Sequence, residues 1–121
     1  MQHRSKIKVA IVGASGHTGL ELLRLLTRHP HVEIVAITSE RYAGKTVGES
    51  FPSFQKCVDL TYQKLDVDRV ASRSEVVFTG LPHGVSMEVV PRLVEQGKVV
   101  IDLSADFRLK LETTYSEWYG E

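Results

Sequence analysis

Near the start of the chain, Gly13-Ala14-Ser15-Gly16-His17-Thr18-Gly19 follows the spacing G-x-x-G-x-x-G. Glycines so spaced can bring backbone amides up against a phosphorylated ligand. The first permits a tight strand-to-helix turn, the second removes a side chain where a diphosphate must approach, and the third lets the helix pack close to a sheet. Free amides at the start of the following helix, with the hydroxyls of Ser15 and Thr18 and the His17 side chain between them, would complete the anion site. The competing reading is a glycine turn that only packs a helix on a sheet.

In a dinucleotide site, an acidic residue roughly 20 positions past the glycines holds the ribose 2′-hydroxyl. The place that corresponds here is Thr38-Ser39-Glu40-Arg41. The Ser39 hydroxyl and the Arg41 guanidinium, with Lys45 nearby, suit a 2′-phosphate and point to NADP; Glu40 in the same turn would favour the unphosphorylated ribose. Residues 39–46 also approach the phosphate-loop pattern G-x-x-x-x-G-K-[ST], through Gly44-Lys45-Thr46. Ser39 replaces the first glycine, however, and the residues that follow do not read as a helix. Without that helix the loop has no anion site, so a nucleotide-triphosphatase is excluded.

The elements that must position these groups follow from periodicity. Residues 7–12 are a β-branched run ending at Gly13, as expected of a strand buried on both faces. Residues 17–28 read as a helix with Leu20, Leu23 and Thr27 on one stripe, widened by Leu22, Leu25 and Leu26 and stopped by Pro30. Residues 32–38 are a second strand, which completes a βαβ unit. Residues 39–52 read as loop and 58–65 as a further strand, with Asp66 capping a short helix through Ala71. A strand is expected over 75–80. A helix over 86–96 should present Val85, Val89, Val90, Leu93 and Val94, be kinked or broken at Pro91, and end at Gly97. Another strand follows over 98–103, then a last short helix over 112–118. The alternation predicts an α/β, Rossmann-type, doubly wound and mainly parallel sheet. Ligands of such sheets bind at the strands' carboxyl edge, where Leu81-Pro82-His83-Gly84 also falls, with Pro82 fixing the turn and Gly84 allowing close backbone approach.

Composition narrows the class. The 121 residues carry 15 Lys+Arg against 15 Asp+Glu, so nothing electrostatic argues for a nucleic acid or an anionic membrane as partner. The length suits one domain with a core of its own. Cys57 is the one cysteine, so neither an intrachain disulfide nor a cysteine-rich metal site can form. No apolar run approaches the roughly 18–20 residues of a membrane span. The expectation is a soluble cytoplasmic protein.

Several segments together resemble a known family. Gly13 to Gly19, Thr38-Ser39 with Tyr42-Ala43-Gly44-Lys45, Leu81-Pro82-His83-Gly84-Val85-Ser86, Val100-Ile101-Asp102-Leu103-Ser104-Ala105-Asp106-Phe107-Arg108-Leu109 and Trp118-Tyr119-Gly120 occur in order. They are similar to the N-acetyl-gamma-glutamyl-phosphate reductases, relatives of the aspartate-semialdehyde dehydrogenases. The resemblance covers nearly the whole chain from Lys6. It implies NADPH-dependent reduction of an acyl phosphate to a semialdehyde in arginine biosynthesis. A cysteine attacks the acyl phosphate, the thioester is reduced by hydride, and a histidine serves as acid and base. It further implies cofactor contact at Leu81, Pro82 and His83. Ser104 and Arg108 would hold the substrate phosphate through paired charge-assisted bonds.

Two departures accompany it. The family's proteins are about two to three times longer, in keeping with a second domain, and act as homo-oligomers. Their nucleophilic cysteine lies in a Gly-Cys-Tyr-type motif that is missing here, and Cys57 reads as structural. His17 also stands where the family has tyrosine. Residues 1–121 are therefore expected to be the nucleotide-binding domain of a two-domain enzyme, able to bind cofactor and inactive alone, with no catalytic residue of their own. The aminoadipyl-phosphate analogue of the substrate, another semialdehyde dehydrogenase and a non-catalytic dinucleotide-binding module stay open. A short-chain dehydrogenase is discounted, because none of Tyr42, Tyr62, Tyr115 or Tyr119 has a lysine four residues on.

Overall fold

Apolar side chains on both faces of the first strand decide the architecture. The computed structural model describes residues 6–55 and 59–103, save the side chain of His83. Strand β1, Ile7–Val12, has Val9, Ala10, Ile11 and Val12 all buried, so layers must cover it from both sides. On one face Ile11 packs with Ile37 and with Leu23 of helix α1, His17–Thr27. On the other, Ala10 and Val12 pack against Val67, Val70 and Ala71 of helix α3, Val67–Arg73, and Val89 and Leu93 of helix α4, His83–Glu95.

The sheet is parallel throughout, in the order β2-β1-β3-β4, where β2 is Val32–Thr38, β3 is Val76–Thr79 and β4 is Val99–Asp102. From β1 the chain winds outward to β2 under α1, then returns to β1's other side for β3 and β4 under α3 and α4. The change of direction lies between β1 and β3, the kind of place where open α/β sheets hold ligands. β2 carries one residue more than β1 along their pairing: the register shifts between Val9 and Ala10 and leaves Val35 unpaired. Among the described residues, no helix is long and apolar enough to cross a membrane.

The observed elements correct several expectations. The segment expected as a strand over 58–65 makes only single bridges within its described part, Thr61 with Thr46 and Gln63 with Thr38. Its amides and carbonyls are divided between a loop and the end of β2: Tyr62 N–H donates to the Lys45 carbonyl and the Tyr62 carbonyl accepts from Gly44, while Gln63 N–H donates to the Ile37 carbonyl. The expected loop contains a four-residue helix, α2, Val47–Ser50, and a 3-10 turn at Pro52–Phe54. Thr46 and Glu49 cap α2 reciprocally, a T-x-x-E capping box. A helical turn therefore does follow Gly44-Lys45-Thr46, but its start is already closed by the chain's own side chains.

On α1 the buried stripe is Gly19 and Leu23 with Leu20, Leu22 and Leu26 at its margins, whereas Leu25, 62% exposed, and Thr27 face outward. Leu25 sits two residues, about 200°, from Leu23, which places it on the opposite side of the helix. Helix α4 begins at His83, three residues earlier than expected, and runs through Pro91 as one element. Pro91 lies on the exposed side and disturbs no packing. The inner face of α4 is Ser86, Val89 and Leu93; Val85 and Val94 are exposed. Gly97, at φ +79°, ends α4 as expected: its N–H reaches the Val94 carbonyl and that of Lys98 the Leu93 carbonyl, a Schellman cap. Asp66 caps α3 as expected, accepting from Arg69 N–H at 3.2 Å, and the helix continues two residues past Ala71. The helix expected over 112–118 lies outside the described residues.

Candidate functional site

The three glycines of the first loop differ in what the fold requires of them. Gly13 has φ +81°, and a Cβ there would stand 2.6 Å from the Gly80 carbonyl oxygen and 3.3 Å from Leu81 Cδ2. Only glycine tolerates both the conformation and the crossing of β1 with the end of β3. A Cβ on Gly19 would stand 2.7 Å from Ala14 Cα, so α1 packs directly on the loop backbone. Gly16 has neither constraint. Its φ is −75°, its ψ 171°, and a Cβ there would meet nothing within 4 Å. The protein's own packing gives no reason for glycine at position 16. The open space in front of it adjoins the first turn of α1, which has no side-chain cap and no acidic residue. The uncapped amides, the open ground before Gly16 and the lack of an acid in that first turn fit a diphosphate.

The loop is held from three sides. Gly13 N–H donates to Thr38 Oγ1 at 3.1 Å and Ala14 N–H to the Thr38 carbonyl at 2.8 Å. Gly80 N–H donates to the Val12 carbonyl. Tyr62, 1% exposed, reaches in from the far side of the loop region and donates its hydroxyl to the Ala14 carbonyl at 3.2 Å. Burial, with Tyr42 alongside, pushes the Tyr62 phenol up to about 12.

Ser15 and Ser39 join the loop to the end of β2. Their hydroxyl oxygens are 2.8 Å apart, and Ser39 Oγ also accepts from Tyr42 N–H at 3.1 Å. The two hydroxyls carry two protons and their mutual bond uses one, so one stays available to a ligand. Ser39 is buried, which makes Ser15 the more accessible of the pair. Arg41 is exposed, its guanidinium 5.4 Å from the Tyr42 ring centre, at the edge where a ribose 2′-substituent would lie. Glu40 accepts from Leu65 N–H. His17 and Thr18 form the first turn of α1, and Leu81 and Pro82 lead into α4, whose start likewise lacks a side-chain cap and a first-turn acid.

The described candidates thus gather at the carboxyl edge of the sheet, between β2 and the start of α4. Ser104 and Arg108, and Cys57 with them, lie outside the described residues. Among the described residues, no group of three or more His, Cys, Asp or Glu is placed to hold a metal. Thr38 falls in the segment singled out for the ribose, but its bonds to Gly13 and Ala14 do not emerge from motif reading, and Tyr62 carries no signal that ties it to Ala14.

Comparison with known proteins settles the class. The family described as semialdehyde dehydrogenase, NAD binding domain, matches residues 8–118. The chain belongs to this family. Among curated relatives, the N-acetyl-gamma-glutamyl-phosphate reductase of Geotalea daltonii is 51% identical over 113 residues, 93% of this chain and 33% of that protein. The enzyme of the same name from Desulfotalea psychrophila is 49% identical over 115 residues, 95% of this chain and 33% of that protein. Among solved structures, aspartate-semialdehyde dehydrogenase with NADP from Candida albicans aligns with a TM-score of 0.72 at 29% identity, over 86% of this chain and 31% of that one. Aspartate-semialdehyde dehydrogenase II complexed with ASA from Vibrio cholerae gives 0.67 at 28% identity, over 86% and 32%. This NAD-binding domain therefore spans about a third of the length of the relatives it matches.

Proposed function

We propose that the chain is the NADP-binding domain of an N-acetyl-gamma-glutamyl-phosphate reductase, which reduces N-acetyl-glutamyl 5-phosphate to the 5-semialdehyde and phosphate in arginine biosynthesis. The observation that carries the reading is Gly16, a glycine whose neighbourhood is open, at the uncapped start of α1, within a chain about 50% identical to enzymes of that name. The amides of the first turn of α1 hold the diphosphate, with Ser15 and Thr18 as hydroxyl donors and His17 beside them. Ser15, braced by Ser39, and Arg41 hold the phosphorylated ribose; the guanidinium offers a planar pair of donors to a 2′-phosphate. Leu81, Pro82 and His83, at the entry to α4, are assigned to the opposite end, across the change of winding between β1 and β3. The bound cofactor supplies hydride.

Ser104 and Arg108, which follow β4 in the sequence, are assigned to the acyl-phosphate group. In this reading the 121 residues supply cofactor binding, and the nucleophilic thiol that the resemblance implies is assigned to none of them. Titration with NADPH and NADH, followed by calorimetry, tests the proposal. NADPH is expected to bind the more tightly. Failure of both dinucleotides to bind would end the cofactor reading, and equal affinities would remove the assignment of Ser39 and Arg41.

A further inference from the structure

At the end of β4 a carboxylate ties together three elements that the cofactor site depends on. Asp102 Oδ1 accepts from Thr79 Oγ1, the last residue of β3, at 3.0 Å. Asp102 Oδ2 accepts from Ser86 Oγ, in the first turns of α4, at 2.8 Å. Thr79 and Ser86 are 0% and 4% exposed, so both hydroxyls depend on this carboxylate rather than on water. The placement follows from the register. Thr79 and Asp102 are direct partners in the parallel pair β3–β4, with their side chains on the face that α4 covers.

Between Thr79 and Ser86 runs the short connection that faces the glycine loop. Gly80 N–H is bonded to Val12, Leu81 lies against Gly13, and Ser86 N–H closes the first turn of α4 onto the Pro82 carbonyl at 2.9 Å. Both ends of this connection are therefore fastened to one carboxyl group. Hydrogen bonds to an ionised acceptor are stronger than neutral ones and fix geometry more tightly. A dinucleotide laid across the change of winding has its diphosphate at α1 and its phosphorylated ribose toward Ser39 and Arg41. Its nicotinamide half then falls on the β3 side, over Leu81 and Pro82.

We propose that Asp102 is a positioning residue for the nicotinamide half of the cofactor, acting through Ser86 and Thr79 on the start of α4 and on Leu81–Pro82. This rests on the cofactor reading above. It adds that the two halves of the dinucleotide are held by separately braced pieces of the chain: the adenosine half by the Thr38–Ser39–Tyr62 scaffold, the nicotinamide half by the Asp102 tie. Loss of the tie leaves the first brace intact.

The test titrates the chain with NADPH and with adenosine 2′,5′-bisphosphate, which has the phosphorylated adenosine half and no nicotinamide. It compares the unmodified chain with Ser86→Ala, Asp102→Ala and the double variant. Ser86→Ala, which removes one charge-assisted bond, is expected to bind NADPH about tenfold more weakly, Asp102→Ala, which removes two, at least as much, and both to leave the bisphosphate unchanged. The double variant should be no weaker than Asp102→Ala alone, because both changes cut the same tie. Unchanged NADPH affinity in Ser86→Ala, additive losses, or parallel weakening of both ligands would overturn the proposal. Should Asp102→Ala fail to fold, Ser86→Ala, which removes one hydroxyl, decides alone through the same pair of ligands. If the unmodified chain takes up neither ligand, the cofactor reading itself falls, an outcome distinct from a failure of the tie.

Discussion

Helices α1 and α3 begin in opposite ways. The first turn of α3 is closed by its own chain: Asp66 accepts from Arg69 N–H and Asp68 adds a second carboxylate near the positive end of the helix. The first turn of α1 has Gly16 in the capping position, no side-chain acceptor and no acid. A helix start with no internal partner leaves amides to water or to a ligand. The contrast separates a helix start closed by its own chain from the one proposed to bind, and substitutions at the two places should move different observables.

The largest effect is expected at Gly19. A side chain there would stand 2.7 Å from Ala14 Cα, against backbone that cannot yield. Gly19→Val should destabilise the fold by about 3 kcal/mol or more, read by thermal unfolding, and take binding with it. Gly16→Val should leave the melting temperature nearly unchanged and weaken NADPH about a hundredfold or more, because only the ligand occupies that space. A Gly16→Val chain that binds normally would erase the distinction between the two helix starts. Arg41→Ala should weaken NADPH about tenfold and leave NADH as it was; loss of both alike would assign Arg41 to packing on Tyr42 instead.

Smaller effects sharpen the comparison. The Tyr62 phenol is held protonated in the fold up to about 12, against an ordinary value of 10.0. The folded state therefore keeps this proton while the unfolded chain loses it. Stability from this group is full below pH 10 and falls as pH rises toward 12. Tyr62→Phe should abolish that part of the slope in pH-dependent urea unfolding, and should cost about 1 kcal/mol at neutral pH through the lost bond to Ala14. Asp66→Ala should lower stability by about 1 kcal/mol and leave nucleotide affinity untouched. A change in affinity there would mean that the start of α3 also serves the site.

What could be read before the fold was known follows a physical line. Strands β1 to β4 and helices α1, α3 and α4 carry their signals locally, in β-branched runs, a helical stripe, the Asp66 cap and Gly97. The pattern over 58–65 alternates like a strand, yet its hydrogen bonds are divided between the loop at Gly44 and Lys45 and the end of β2 at Ile37, with only single bridges, which no periodicity records. Helix α2 has a readable T-x-x-E signature at Thr46–Glu49, but four residues are too few to show a stripe. At the site, the glycines announce themselves by spacing. Tyr62 acts on Ala14 across 48 positions and Asp102 on Ser86 across 16, contacts that exist only once the chain is wound.

The unpaired Val35 in β2 has a consequence for the loop it never touches. Because β2 gains one step on β1 there, Ile34 and Ile37 share a face despite their odd separation, and Thr38 draws level with Val12. That extra step delivers the threonine oxygen to the amide of Gly13 and the next serine to Ser15. A deletion at Val35 would yield a straighter ribbon whose end stops one notch short. The sheet would still assemble, and the bend at Gly13 would lose its mooring.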